Sequence, residues 1–438
     1  MLEILSNKKI FKFWLPLAAT WLMMSLEGPF LAAIIARLVD PKYNLAAYGV
    51  AFSFALIIEA PVIMMMSAST ALVKDYSSFK KLRNFNFIIS GLITAIMLVI
   101  LIPSVFDYIA IDLINLNAEV EKLTYKAFFV LLPWPGAIGY RRFYQGIMIR
   151  NNLTKRVAYG TIVRLLTMSL SAIILYNFTI LDGAVIGASS LSAGVIAEAI
   201  ASRFMSNGIL AKIKNENLSS ESNLSYNEII NFYYPLALTS LIGLGVHPMV
   251  TFFIGQSRMS LESLAVLPVI NSLVFIFRSL GLSYQEVGIA LIGDKGEHYT
   301  QLASFAKKLG LTLAAVLLII ALTPISKIWF SNISGLSDLL TDFVKIPVII
   351  IAIMPALTVL ISFQRSLLVT FKNTTPITFA TIIEVSVIIL TLFVSIKIFD
   401  LTGVTSAMIA FILGRICAVV YLSFPFNKIT NHFKTSSE

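Results

Sequence analysis

The chain is 438 residues long, 58% hydrophobic and only 13% charged, with a formal net charge of +10. Soluble domains carry roughly a quarter charged residues and about 45–50% apolar ones, so this composition excludes an ordinary water-soluble protein. The positive balance is not a nucleic-acid signature here, because the lysines and arginines gather on alternate loops between apolar segments, as they do on the cytoplasmic side of a membrane.

The opening stretch MLEILSNKKIFKF runs straight into an apolar segment with no small-residue cleavage site. It reads as a retained first helix rather than a removed signal peptide. Apolar runs near the length needed to cross a bilayer then recur along the chain. They predict twelve spans, near 13–34, 48–72, 85–106, 126–149, 156–176, 184–205, 229–254, 264–292, 305–323, 346–371, 375–397 and 402–424. One set of loops holds Lys8, Lys9, Lys12, Lys74, Lys80, Lys81, Arg83, Arg150, Lys155, Arg156, Lys212, Lys214, Lys295, Lys307, Lys308 and Lys372. The other set is poorer in cations and carries Asp107, Asp112, Glu119 and Glu121. The asymmetry predicts a multi-pass protein of the cell (plasma or inner) membrane with both termini in the cytoplasm. The single cysteine, Cys417, allows no intrachain disulfide.

The polar stretch KIKNENLSSESNLSYNE (212–228) reads as a flexible cytoplasmic linker. It predicts an N-terminal six-helix lobe over 1–211 and a C-terminal one over 229–438. The two halves also resemble each other. FWLPLAATWLMMSLEGPF opens the first and FYYPLALTSLIGLGVHPM the second. A shift of 219 places Pro16 on Pro235, Ala18 on Ala237, Pro29 on Pro248 and Ala46 on Ala265. A shift of 220 places Pro135 on Pro355, Thr161 on Thr381, Gly183 on Gly403 and Gly194 on Gly414. With six helices per half the repeat is parallel, and its pseudo-two-fold runs along the membrane normal. Equivalent residues then share a depth. Two equivalent pairs are charge-reversed, Glu59 with Arg278 and Arg164 with Glu384. Both pairs are candidates for a charge gate between the lobes.

Eleven ionisable residues fall inside the spans: Glu27, Glu59, Glu198, Glu286 and Glu384 against Arg141, Arg142, Arg164, Arg278, Arg365 and Arg415. A charge at a helix centre costs about 2.5–3.5 kcal/mol on insertion scales, so these side chains face one another or a wet cavity. For Arg141 and Arg142, in LLPWPGAIGYRRFYQGIMIR (131–150), two readings stand. Arg142 is roughly 12 Å from the end of its span at 1.5 Å per residue, within partial reach of snorkelling. Alternatively both edge a cavity with Tyr144 and Gln145, opposite Gln364 and Arg365 of the tenth span. Snorkelling is equally open to Arg365 and Arg415, and a structural role to Glu198. His247 precedes a proline in the seventh span, where a packed neutral side chain and a functional one are both open.

Twelve spans, a parallel six-plus-six repeat and a linker after the sixth span together resemble the multidrug and toxic compound extrusion (MATE) family, within the multidrug/oligosaccharidyl-lipid/polysaccharide (MOP) exporter superfamily. LAAYGVAFSF (45–54) and YPLAL (234–238) are similar to the progressive ankylosis protein branch. The resemblance implies an all-α fold with two pseudo-symmetric lobes around a central cavity, and rocker-switch export driven by a proton or sodium gradient. The family's first-helix acid corresponds to Glu27. Sodium-coupled members use acids in helices seven, eight and ten, for which Glu286 and Glu384 are the candidates, while helix seven offers His247.

The expectation is therefore a secondary-active exporter of a small organic molecule, anionic or amphipathic, gripped by Arg141, Arg142, Tyr144, Gln364 and Arg365. Ion coupling falls to Glu27, Glu286 and Glu384. The alternative is a flippase for a lipid-linked, phosphate-bearing saccharide, whose pyrophosphate suits the arginines. An enzyme is not expected, since no HExxH, GxSxG or GxxxxGK[ST] motif is present. The expected partners are the cargo and membrane lipid, with no nucleic acid, no cofactor beyond a bound proton or sodium ion, and a monomeric state.

Overall fold

The structure, a computed structural model, describes residues 5–113, 116–216, 224–334 and 336–435. Among the described residues the chain is helical, and the one bridge outside helices pairs Arg258 with Thr402. Twelve long elements follow one another: α1 Asn7–Ile35, α2 Tyr43–Leu72, α3 Tyr76–Ile100, α4, α5 Thr154–Phe178, α6 Gly183–Asn215, α7 Tyr226–Gly255, α8 Glu262–Leu291, α9 Tyr299–Leu322, α10 Asp338–Thr370, α11 Thr375–Lys397 and α12 Gly403–Thr430. Eleven of these are long and apolar enough to cross a membrane. The exception is α4, which a break before Trp134 divides into Ala118–Val130 and Trp134–Arg150. Pro135 sits at the start of the second segment, where its missing N–H has no intrahelical role to lose.

Residues 212–216 end a helical extension of α6 (Asn207–Glu216) rather than opening a flexible linker, and 217–223 lie outside the described residues. The chain forms two compact units. One joins the chain up to Trp21 with the chain from Ile242 onward, and the other runs from Leu22 to Leu241. The division therefore falls inside α1 and α7 and not within 212–228. Trp14 is seated in the first of these units, its indole N–H donating to Leu280 O at 3.2 Å and its ring 6.1 Å from Phe305. Tyr233 is seated in the second, its hydroxyl donating to Pro61 O and its ring edge-on to Phe85 at 5.3 Å. Each unit has its own apolar core, around Ala55, Met97, Phe128 and Leu191 in one and Ile270, Leu317, Val348 and Leu392 in the other.

The internal repeat is written into the backbone. Asp40 and Met259 both take a left-handed conformation before the second helix of their half (φ 48° and 53°), as do Asn152 and Lys372 before the fifth (φ 61° and 57°). Helix α2 breaks at Met64 and α8 at Ser283. A wide helical turn spans Tyr108–Leu113 in one half and Ile328–Ile333 in the other. Just beyond it Asn117 and Ser337 each accept a backbone N–H to start the next helix. Every one of these pairs obeys the offsets of 219 and 220 read from the side chains. Left-handed turns are costly for residues with a Cβ, so their recurrence reflects a shared backbone path.

Candidate functional site

In the Leu22–Leu241 unit, α1 breaks at Leu26 and restarts with Glu27–Ile35. Glu27 occupies the first turn of that segment, where backbone N–H groups favour an anion. Its Oε2 pairs with Arg164 Nη2 of α5, and both residues are buried. From α6, Glu198 is fully buried and collects Arg141 Nη1 at 2.6 Å, Gln145 Nε2 at 2.9 Å and Thr161 Oγ1 at 3.2 Å. Arg164 Nη1 lies 3.6 Å from the same carboxylate. Arg164 thus bridges two acids.

Arg141 and Gln145 are four residues apart and so share one face of their helix, which is why both reach Glu198. Arg142 is turned about 100° from Arg141. It is the cation that acts most strongly on the buried Glu59 of α2, ahead of Arg141 and Arg164. Two adjacent arginines inside an apolar segment thus act on different carboxylates, Arg141 by direct contact with Glu198 and Arg142 through the field at Glu59. Three acids, Glu27, Glu59 and Glu198, meet three guanidiniums, Arg141, Arg142 and Arg164. The charge-assisted hydrogen bonds from Arg164 to Glu27 and from Arg141 to Glu198 are of a strong kind, and removing one member leaves an uncompensated buried charge. Tyr144, on the same helix, is buried with its ring 4.8 Å from Tyr140 and with the Arg203 guanidinium 5.4 Å above it.

The other unit repeats the plan with its signs exchanged. Where α2 carries Glu59, α8 carries Arg278; where α5 carries Arg164, α11 carries Glu384. Helix α6 supplies Glu198, and α12 supplies Arg415 about one turn from the equivalent place. Arg415 Nη2 pairs with Glu384 Oε1 at 2.8 Å. Helices α4 and α10 do not reverse: Arg365 stands at the position of Gln145, and its Nη2 donates to Thr381 Oγ1 at 3.1 Å. The equivalent hydroxyl, Thr161, donates to a carboxylate instead. A hydroxyl can do either, so one residue type serves both polarities. Glu27 has no acidic counterpart, since the 219 offset leads to Val246. Glu384 and Arg415 are the charges that act on both Arg278 and Arg365. The outcome is an electrostatically linked set of three guanidiniums and one carboxylate, in which Arg415 is the arginine paired directly with Glu384. The Nε–H groups of Arg278, Arg365 and Arg415 find no acceptor among the described residues. His247 is exposed on α7, with Arg278 the charge that acts on it.

Not every residue expected at a site converges there. Glu384 lies on the eleventh helix, α11, and not on the tenth, which corrects its match to the helix-ten acid. Gln364 is buried and ties α10 to α12, donating to Val419 O at 3.1 Å and Ser423 Oγ at 3.0 Å. Glu286 is buried in the first turn of Tyr284–Leu291, and has interactions of its own. Glu59 and Arg278 belong to different units. Arg415 and Glu198, for which a structural or snorkelling role was open, prove to be the α12 and α6 partners of the two clusters. Among the described residues, no group of three or more His, Cys, Asp or Glu side chains is placed to hold a metal ion.

No protein-family model matches the sequence, and no curated protein matches it as a relative. Solved structures do match in fold. A MOP superfamily transporter from Pyrococcus furiosus, described as having a binding pocket of reverse polarity, superposes with a TM-score of 0.80 at 14% identity, covering 97% of this chain and 96% of its own. The Vibrio cholerae MATE transporter VcmN, as a point mutant, gives 0.76 at 15% identity over 96% of each chain. A MATE transporter in a bent conformation gives 0.75 at 14% identity, over 98% of this chain and 97% of its own. The chain has the fold of MATE and MOP superfamily transporters.

Proposed function

We propose that this protein is a secondary-active membrane transporter whose cargo carries a negative charge. One arrangement carries the reading: Arg415 pairs with Glu384 at 2.8 Å, and the same two charges act electrostatically on two further buried arginines, Arg278 and Arg365. Guanidinium forks match carboxylates and phosphates, and a partly desolvated fork binds an anion more strongly than one in water. In the Leu22–Leu241 unit the intramembrane charges balance instead, Glu27, Glu59 and Glu198 against Arg141, Arg142 and Arg164. Arg141, expected to grip cargo, is engaged by Glu198, so the gripping role passes to Arg365 and Arg278.

Coupling falls to Glu27. A proton on its carboxylate cancels the charge that holds Arg164, leaving that guanidinium to Glu198 alone, so protonation and helix position are linked. Rocker-switch export, a place in the cell membrane with both termini cytoplasmic, and a monomeric state complete the proposal. A phosphate-bearing lipid-linked saccharide meets the same arginines and is an arm of the test.

The test is equilibrium binding to the purified protein of fluorescein, ethidium and a dolichyl-type saccharide phosphate. Losing one hydrogen bond to a charged group costs about 1.5–3 kcal/mol, so Arg365→Gln and Arg278→Gln should each weaken fluorescein binding by roughly ten- to a hundredfold. Ethidium binding with fluorescein ignored, and with both substitutions harmless, refutes an anionic cargo. Preference for the lipid-linked phosphate over fluorescein favours the flippase.

A further inference from the structure

Away from the buried charges, the unit that contains α9 to α12 carries a groove of about 350 Å³. Its polar end holds Tyr299, Phe363 and Phe426, from α9, α10 and α12, with ring centroids 6.0, 6.1 and 5.8 Å apart. Lys307 lies two turns further along α9, exposed at the groove's edge. Beyond it the walls are Leu311 and Leu360, both exposed. The floor is low because a Cβ on Gly310 would stand 3.3 Å from Ala356 Cα, so α9 and α10 approach closely there. Among the described residues, no carboxylate lines the groove.

We infer that this groove holds one anionic phospholipid, its phosphate on Lys307 and an acyl chain along Leu311 and Leu360. Three features of the groove agree on that occupant. The apolar wall lies on helices that are long and apolar enough to cross a membrane, so its solvent is hydrocarbon and a dissolved ion would not reach it. The charged residue that lines the groove, Lys307, is cationic with no carboxylate among the lining residues, which complements an anionic headgroup and not a zwitterionic one. Tyr299 is an amphipathic ring of the kind that settles at headgroup level. The site belongs to one half of the repeat, because the 220 offset places Phe87 where Lys307 stands. The inference depends on the helices crossing a bilayer and is independent of the cargo's charge.

Native mass spectrometry of the detergent-purified protein, with phosphatidylglycerol and phosphatidylcholine added in equal amounts, tests it. Wild type should retain phosphatidylglycerol several-fold over phosphatidylcholine. Lys307→Gln should lose the preference while still retaining lipid, Lys308→Gln should keep it, and Ala303→Phe, which fills the groove, should lose bound lipid altogether. Thermal unfolding in detergent serves as the check that each variant is folded. Equal retention of the two lipids by wild type, or identical behaviour of the two lysine variants, overturns the inference.

Discussion

Arg415 Nη2 and Glu384 Oε1 stand 2.8 Å apart on neighbouring helices, both about nine-tenths buried. In a cluster with two further arginines this pair sets how much positive charge remains for a ligand. Removing either partner breaks the same contact but moves the net charge in opposite directions. Glu384→Gln should tighten the binding of an organic anion, and Arg415→Gln should weaken it by about tenfold, the equivalent of 1.4 kcal/mol. Both variants should lose thermal stability. Calorimetric titration with fluorescein reads the sign. Two variants that weaken binding alike would show that Glu384 orients the arginines and does not compete for them.

The network on Glu198 should act as the fastener of its unit. Glu198→Ala strips a carboxylate from Arg141, Arg164, Gln145 and Thr161 at once. Breaking a buried pair in this way typically costs about 3–5 kcal/mol. Gln145→Ala removes one neutral donor and should cost about 1 kcal/mol. Thermal unfolding in detergent should rank Glu198→Ala well below Gln145→Ala. Equal melting temperatures would mean that the network carries no net stability.

Glu27 should be separable from cargo binding. Glu27→Gln keeps the shape at Arg164 and fixes the neutral state. Transport into proteoliposomes driven by a pH gradient should fall to background, while equilibrium binding of the anion at the Arg365 cluster changes by less than about twofold. Gradient-driven uptake that survives in the variant would exclude Glu27 from coupling.

Charge swaps distinguish the partner of Glu59. Because Arg142 acts on it most strongly, Glu59→Arg combined with Arg142→Glu should recover part of the melting temperature lost in either single variant. Glu59→Arg with Arg278→Glu exchanges repeat-equivalent residues of different units and should leave that loss uncorrected. Recovery of transport by the second swap is the result that a gate between equivalent positions demands. Failure of both swaps, with the variants folded, would remove Glu59 from gating.

The number and order of helices, the offsets of 219 and 220 and the reversal of charge at two equivalent positions are all legible in the amino-acid sequence. They are legible because the cost of apolar exposure and of burying charge acts on local stretches of chain. Left-handed turns at Asp40 and Met259 follow the same register, since one backbone path imposes its special conformations wherever it recurs. Thr161 and Thr381 could have been singled out by their coincidence under that offset. What the sequence could not determine is which charge meets which. Glu27 finds Arg164 across 137 residues and Arg141 finds Glu198 across 57. Gln364, expected beside cargo, faces α12 instead. Nor does the polar stretch at 212–228 reveal that the compact units divide inside α1 and α7. Such pairings depend on the rotation of each helix about its axis, and neighbouring residues on one helix point about 100° apart. That rotation is set by side-chain packing against helices distant in the chain, and only the tertiary structure decides it.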